Sequence, residues 1–465
     1  MRVHHATKSA GDGNENRPPD QSLLKQTVRD AEKLLGMGEP LLAYNLVEQA
    51  LLSFPDELRL QQLQGLALAR SGALRRANDL LTGLRDAGHT DGETLGLLAR
   101  THKDLALAGV SDVERKQHLQ AAFEIYSAGY HQSEQQGHVA DAYYTGINTA
   151  TMAFLLGDNG AAKDIATRVE QLCEVARGQC EDDASAYWPQ ATLAEAALIR
   201  GDKDLARKRY AAAARLAGTH YGNLSSTRHQ ARLLLEHVGE SATWLNGVLD
   251  VPPVLVYTGH MIDAPGRAQA RFEASMEGAV RDNILARLET IRPAAAYGSA
   301  ACGADILCLE CVRELGGELH IVLPFPVEHF RETSVDMTGA RRWSERFDRL
   351  LEDANEVLVV SERPPAGNTS IYEYANLIMT GLARLRSQML DTQLQGLAVW
   401  DGVESGDPGG TSSVVSMWRQ GGVPIDCISI GGGVAAADSA TTGNRSNPDG
   451  VAMPASGAWP FKYSI

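Results

Sequence analysis

Two short apolar runs, each ending in glycine where a helix can begin, constrain this chain more than any other feature. Val254-Leu255-Val256-Tyr257 leads into Thr258-Gly259-His260, and a helix length later Ala294-Ala295-Ala296-Tyr297 leads into Gly298-Ser299-Ala300-Ala301-Cys302-Gly303-Ala304-Asp305. A strand, a helix and a second strand in that order make a parallel pair with a crossover. Neighbouring strand tips of this kind surround one crevice with backbone N–H groups and positive helix ends, a setting that suits phosphate.

The alternation continues to about Ile430, with strands expected over 254–258, 294–297, 319–323, 356–360, 396–400 and 424–430. Helices are expected between them over 274–291, 303–315, 341–353, 370–389 and 411–420. Runs such as Leu319-His320-Ile321-Val322-Leu323 and Val357-Leu358-Val359-Val360 are almost wholly apolar, as strands covered on both faces are. The expectation is an α/β Rossmann-like parallel-sheet domain over 252–430, with its ligand at the carboxyl ends of the strands.

Those ends supply the candidate ligand-binding residues: Thr258, Gly259 and His260, then Gly298, Ser299, Gly303 and Asp305. Glu362, Asn368 and Thr369 follow the fourth strand, and Gly409, Gly410 and Thr411 follow the fifth, which ends in Trp400-Asp401-Gly402. Asp263 also lies past the first strand. Gly298 and Gly303 have a plain alternative role as turn residues. His260 is suited to bonding backbone, holding phosphate or moving a proton. Phe325 is a candidate for base stacking, and one of Glu373, Tyr374 and Asn376 is expected over the crevice. Cys308 and Cys311 form a Cys-x-x-Cys inside an apolar helix with no second Cys or His pair at zinc spacing, so packing is expected and no metal. No cofactor is called for.

Pro252-Pro253 ends a very different first half. From Ser22 to Val248 apolar residues recur at helical spacing and breaks come at glycines. Gly38 and Gly72 lie about 34 residues apart, the tetratricopeptide period. Each heads a ladder of small and apolar residues, Ala43, Val47 and Ala50 after the first and Ala77, Leu81 and Leu84 after the second; Gly157, Ala162, Ala166 and Gly201, Ala206, Tyr210, Ala213 repeat it. The expectation is an all-α tetratricopeptide-type superhelix over 22–248, with longer helices or inserted loops between Gly109 and Ser185. Two passages stand out, Asp141 to Ala150 and Tyr187 to Glu195. Tyr144, Asn148, Tyr187 and Trp188 are candidates for a partner-docking surface, with core packing as the alternative.

The flanks, 1–21 and 431–465, are polar or rich in Gly, Ala, Ser and Thr and are expected to be flexible tails. A net charge of -15 with no basic stripe argues against a nucleic-acid partner. Six scattered cysteines fit a reducing compartment. No signal peptide or membrane-length apolar run is visible, so a soluble, cytoplasmic protein is expected.

The Tyr144-Thr145-Gly146-Ile147-Asn148 passage and the helical repeats around it resemble the TPR-S type of repeat, also described as the TRAFs-binding region of apoptosis signal-regulating kinases. That resemblance implies a sensor or docking module. The second half, with Thr-Gly-His after one strand and Gly-Ser-x-x-x-Gly-Ala-Asp after the next, is similar to the SLOG superfamily of Rossmann-like domains. This superfamily includes the LOG phosphoribohydrolases, the DNA-processing protein A family and ligand sensors of bacterial immunity systems. It implies binding of nucleotides or nucleotide-derived signals. The phosphoribohydrolases place a catalytic Glu near a Pro-Gly-Gly-x-Gly-Thr run, whereas here Pro408-Gly409-Gly410-Thr411 is followed by Ser412 and Ser413, which argues against hydrolysis. The resulting expectation is a signalling protein rather than an enzyme: a nucleotide-type small molecule bound by the second half and a protein partner docked by the repeats, with homo-oligomerisation left open. The alternatives are a nucleotide N-glycosidase using Asp305, His260 or Glu362, and a scaffold whose second half has lost its ligand.

Overall fold

The structure is a computed structural model describing residues 21–37, 39–109, 111–336, 341–363, 370–404 and 409–430. The expected tails lie outside the described residues, except that Gln21 opens the first helix. Two compact units separate between Asp250 and Val251.

The first unit is helical: α1 (Gln21–Met37), α2 (Pro40–Leu51), α3 (Leu58–Arg70), α4 (Leu74–Asp86), α5 (Gly92–Leu107), α6 (Asp112–Gln136), α7 (Val139–Leu155), α8 (Asn159–Arg177), α9 (Asp183–Arg200), α10 (Lys203–Ala217) and α11 (Tyr221–His237). Ala43, Ala77, Ala162 and Ala206 are completely buried, as are Val47, Leu81 and Ala166 one turn later. A methyl group at the first position of each ladder lets the two helices of a hairpin approach closely, and a larger side chain would hold them apart. The connecting Gly72, Gly157 and Gly201 have φ of +87°, +91° and +90°, a conformation L side chains avoid. Between Gly109 and Ser185 the period lengthens because the helices do: α6 has 25 residues, α7 17 and α8 19. α6 is fixed at its start by a reciprocal cap between Ser111 and Glu114 and ends at left-handed Gly137.

The odd-numbered helices form an inner layer in which each touches the next, and α11 also touches α7 and α1. A polar network ties this layer together. Lys103 Nζ donates to Gln230 Oε1 at 2.9 Å, Gln230 Nε2 to Glu195 Oε1 at 2.7 Å, and Thr151 Oγ1 to the same oxygen at 2.7 Å.

The second unit contains β1 (Val254–Gly259), α12 (Glu277–Ile291), β2 (Ala295–Gly298), α13 (Ala304–Glu314), β3 (Glu318–Leu323), α14 (Val327–Phe330), α15 (Arg341–Asp353), β4 (Glu356–Val359), α16 (Ser370–Met389), β5 (Leu394–Trp400), α17 (Thr411–Gln420) and β6 (Ile425–Ser429). The strands form one sheet in the order β4-β3-β2-β1-β5-β6, and every pairing is parallel. The fold is therefore a helical superhelix joined in sequence to a Rossmann-like α/β unit. Strand order reverses between β1 and β5, so the loops that follow these two paired strands diverge and leave a crevice at their carboxyl ends. Val254 to Val256 of β1 are fully buried, in agreement with a sheet covered on both faces. Cys308 and Cys311 are fully buried in the core and act as packing. Phe325 is also fully buried, with the rings of His329, Phe330 and Tyr372 around it, so it has no free face for a base.

Candidate functional site

A cleft of about 260 Å³ lies at the switch between β1 and β5. Thr258, Gly259, His260, Ser299, Asp305, Gly409, Gly410 and Thr411 of the expected set line it. Glu362 is exposed and is not part of the lining. Asn368 and Thr369 lie outside the described residues. Of the three α16 candidates it is Asn376 that lines the cleft, its Nδ2 donating to the Gly409 carbonyl at 3.1 Å.

Several of the glycines are dictated by packing. A Cβ at Gly298 would fall 2.0 Å from the Tyr257 ring, and that ring is fixed because its hydroxyl donates to the Ser299 carbonyl at 2.7 Å. One at Gly259 would fall 2.3 Å from the Ala304 Cβ. Gly303 has φ of +110° and its Cβ would meet the Ile262 nitrogen at 2.5 Å, where Met261 and Gly303 bridge the two loops. Neither Gly298 nor Gly303 is in the cleft wall. The backbone N–H groups expected to be free at the start of α13 are largely engaged. Ala301 N–H donates to Asp305, Cys302 N–H to the Ser334 carbonyl and Ala304 N–H to the His260 carbonyl. The Ser334 carbonyl gets there through a π-helical turn, Arg331–Val335, that no sequence pattern announced.

The other helix start differs. α17 follows Gly409 and Gly410 into the cleft wall, and the first-turn N–H groups of a helix have no acceptor within it. Gly409 is required there because φ is +77° and a Cβ would meet Tyr372 at 2.5 Å.

The strongest unforeseen residue is Arg271. The N–H groups of Arg271 and Phe272 both donate to Asp263 Oδ2, at 2.7 and 2.9 Å, while Phe272 is buried without exposed surface. This clasp closes the loop after β1 and brings Arg271 into the cleft wall. Its Nε is buried without a hydrogen-bond partner, and its charge helps to hold the Asp401 carboxyl down. The signal in the sequence was Asp263, a short side chain just past a strand, which favours such turns.

His260 is 8% exposed, and its Nε2 lies 3.1 Å from Asp401 Oδ1, but too far off line for a well-formed hydrogen bond. Burial holds this imidazole below its ordinary value, outweighing Asp401, so it is neutral near pH 7. Burial would raise the Asp401 carboxyl, but the Val403 N–H at 3.0 Å and His260 outweigh it and keep it below its usual range. Asp305 is the opposite case. Its surroundings strip it of water, one long bond of 3.3 Å from Ala301 N–H compensates little, and it is pushed up to about 7.

In the helical unit, Tyr144 and Trp188 are each 40% exposed, whereas Asn148 and Tyr187 are buried. Tyr187 shares a 2.6 Å hydrogen bond with Thr227 and is a core residue. Asn148 Nδ2 donates to the Tyr144 carbonyl at 2.8 Å.

Among the described residues no helix is long and apolar enough to cross a membrane. A comparison with curated proteins gives no match. Residues 41–153, from α2 into α7, match the family described as Tetratricopeptide Repeats-Sensor, which points to a protein-interaction or sensing role for the repeats.

Proposed function

We propose that the sheet-bearing unit binds a nucleotide or nucleotide-derived ligand by its phosphate, and that the repeats dock a protein partner through Tyr144 and Trp188. Arg271 carries this reading. A guanidinium in the cleft wall whose buried Nε has no hydrogen-bond partner, beside Thr258, Thr411 and a helix start, is chemistry that suits phosphate. Calorimetry of the full chain against nucleoside monophosphates, cyclic dinucleotides and ADP-ribose tests it. Binding of at least one is expected, weakened by about tenfold or more in Arg271→Ala, which corresponds to about 1.4 kcal/mol. No heat from any of them would remove the proposal.

The Asp305 carboxyl favours a second reading, a nucleotide N-glycosidase. An acid titrating near 7 is protonated often enough to donate and weakly enough held to give its proton up. Water would add at the ribose C1′, the C1′–N bond would break, the base would leave with the proton from Asp305, and the proton released by the attacking water would return Asp305 to its acid form. Free base released from a nucleoside monophosphate or NAD, and lost in Asp305→Asn, is the expected result under this reading; its absence from the wild-type protein rules the reading out.

A further inference from the structure

The helical unit holds a second group of cations that neither the repeats nor the cleft explains. Arg70 ends α3, Arg100 and Lys103 occupy successive turns of α5, and Tyr144 projects from α7. These helices adjoin, α3 touching α5 and α5 touching α7. Gly96 allows the approach, since a Cβ there would come within 3.2 Å of the Tyr144 ring. Tyr126 of α6 meets the Tyr144 ring edge-on, with centroids 6.3 Å apart.

Negative charge is unevenly spread here. Burial works against the Arg100 cation, but Asp104, whose Oδ2 lies 3.7 Å from Nε, outweighs it and raises its pKa, while Lys103 donates to the neutral oxygens of Gln230 and Asn148. Arg70 Nη1 donates to the Leu35 carbonyl, and Arg70 Nε is buried with no partner. The Tyr126 hydroxyl beside them is 1% exposed and has no well-formed hydrogen bond. Burial, and then repulsion from Arg100, pushes the Arg70 guanidinium down to about 9, as happens to a cation without compensation. Glu195 reaches the group through Gln230, but burial raises its pKa and weakens it as a counterion.

We propose that Arg70 and Arg100, with the hydroxyls of Tyr126 and Tyr144, bind a compact dianion, a phosphate group or a small dicarboxylate. Arg100 and Asp104 keep 28% and 27% of their side-chain surface, so solvent reaches that end of the group. α11 packs against α7 and α1 on the same inner layer, which favours a small occupant at the cations and leaves the exposed part of Tyr144 to a protein partner. A dianion would end the repulsion between the two guanidinium groups and give the two unpartnered polar atoms their acceptor.

The test uses the full chain carrying Arg271→Ala, which weakens any binding in the cleft, titrated with inorganic phosphate in one arm and succinate in the other. Saturable binding of at least one is expected, identifying the source of the anion. Arg70→Gln and Arg100→Gln should each weaken it tenfold or more, Arg70→Lys less, and the exposed Arg177→Gln not at all. In anion-free buffer Arg70→Met should melt no lower than its parent, because it removes an uncompensated buried charge. Lack of binding in both arms, equal binding by Arg70→Gln and Arg177→Gln, or a lower melting temperature for Arg70→Met without anion overturns the proposal.

Discussion

Asp305→Asn is expected to stabilise the sheet-bearing unit by about 2–4 kcal/mol at pH 8 and by almost nothing at pH 4. The folded-state pKa of Asp305 is raised to about 7, well above the roughly 3.9 of an unfolded aspartate. Below pH 4 the carboxyl is protonated in both states and makes no difference. As pH rises toward 7 the unfolded chain ionises and gains hydration while the folded chain holds its proton, so stability falls; above 7 the loss is complete. About three units at about 1.4 kcal/mol each set the upper figure, and the favourable field at the start of α13 lowers it. Asparagine has nearly the same shape, can still accept from Ala301 N–H and never ionises. Denaturant melts of both proteins at pH 4, 6 and 8 check this; a gap that fails to widen with pH would show that Asp305 is better solvated than its surroundings indicate. A residue kept at such a cost invites a functional role, and the same variant is the one that tests proton donation.

Gly298→Ala should cost about 3 kcal/mol, near the top of the usual overpacking range. The added methyl would sit 2.0 Å from a ring that is buried and bonded through its hydroxyl, so β2 or Tyr257 must move. For a unit of this size that is a fall in melting temperature of about 6–12 °C. The clash is with one side chain, so Tyr257→Leu in the same molecule should recover part of the loss, giving a clear coupling in a double-mutant cycle. Simple additivity would show instead that Gly298 is needed for its backbone alone.

These two residues also show where sequence reasoning ran out. The limits of the expected strands and helices in the second unit were legible to within three residues because apolar runs and glycine breaks are local signals, and α12 starting at Glu277 rather than 274 was the largest departure. The buried alanines of the repeats were legible for the same reason. What glycine was for was not. Gly298 and Gly303 read as the wall of an anion cradle, and their neighbours instead fill the space a Cβ would occupy. The partner of His260 is Asp401, distant in sequence and brought near by the β1–β5 pairing, and no spacing rule reveals such a neighbour. Arg271 was missed because its position depends on Asp263 bonding two N–H groups eight and nine residues away. Phe325 looked available because it follows a strand, and the α14 segment after it covers the ring.

The contact between α1 and α11 has an evolutionary implication. Open solenoids grow or shrink by duplicating a hairpin, since each new unit needs only its immediate neighbours. Here the first and last inner helices already meet, so an extra hairpin would have to force them apart and a deleted one would leave apolar surface bare. The number of repeats is thereby fixed by geometry, and drift in such a chain should favour altered helix length over altered helix number.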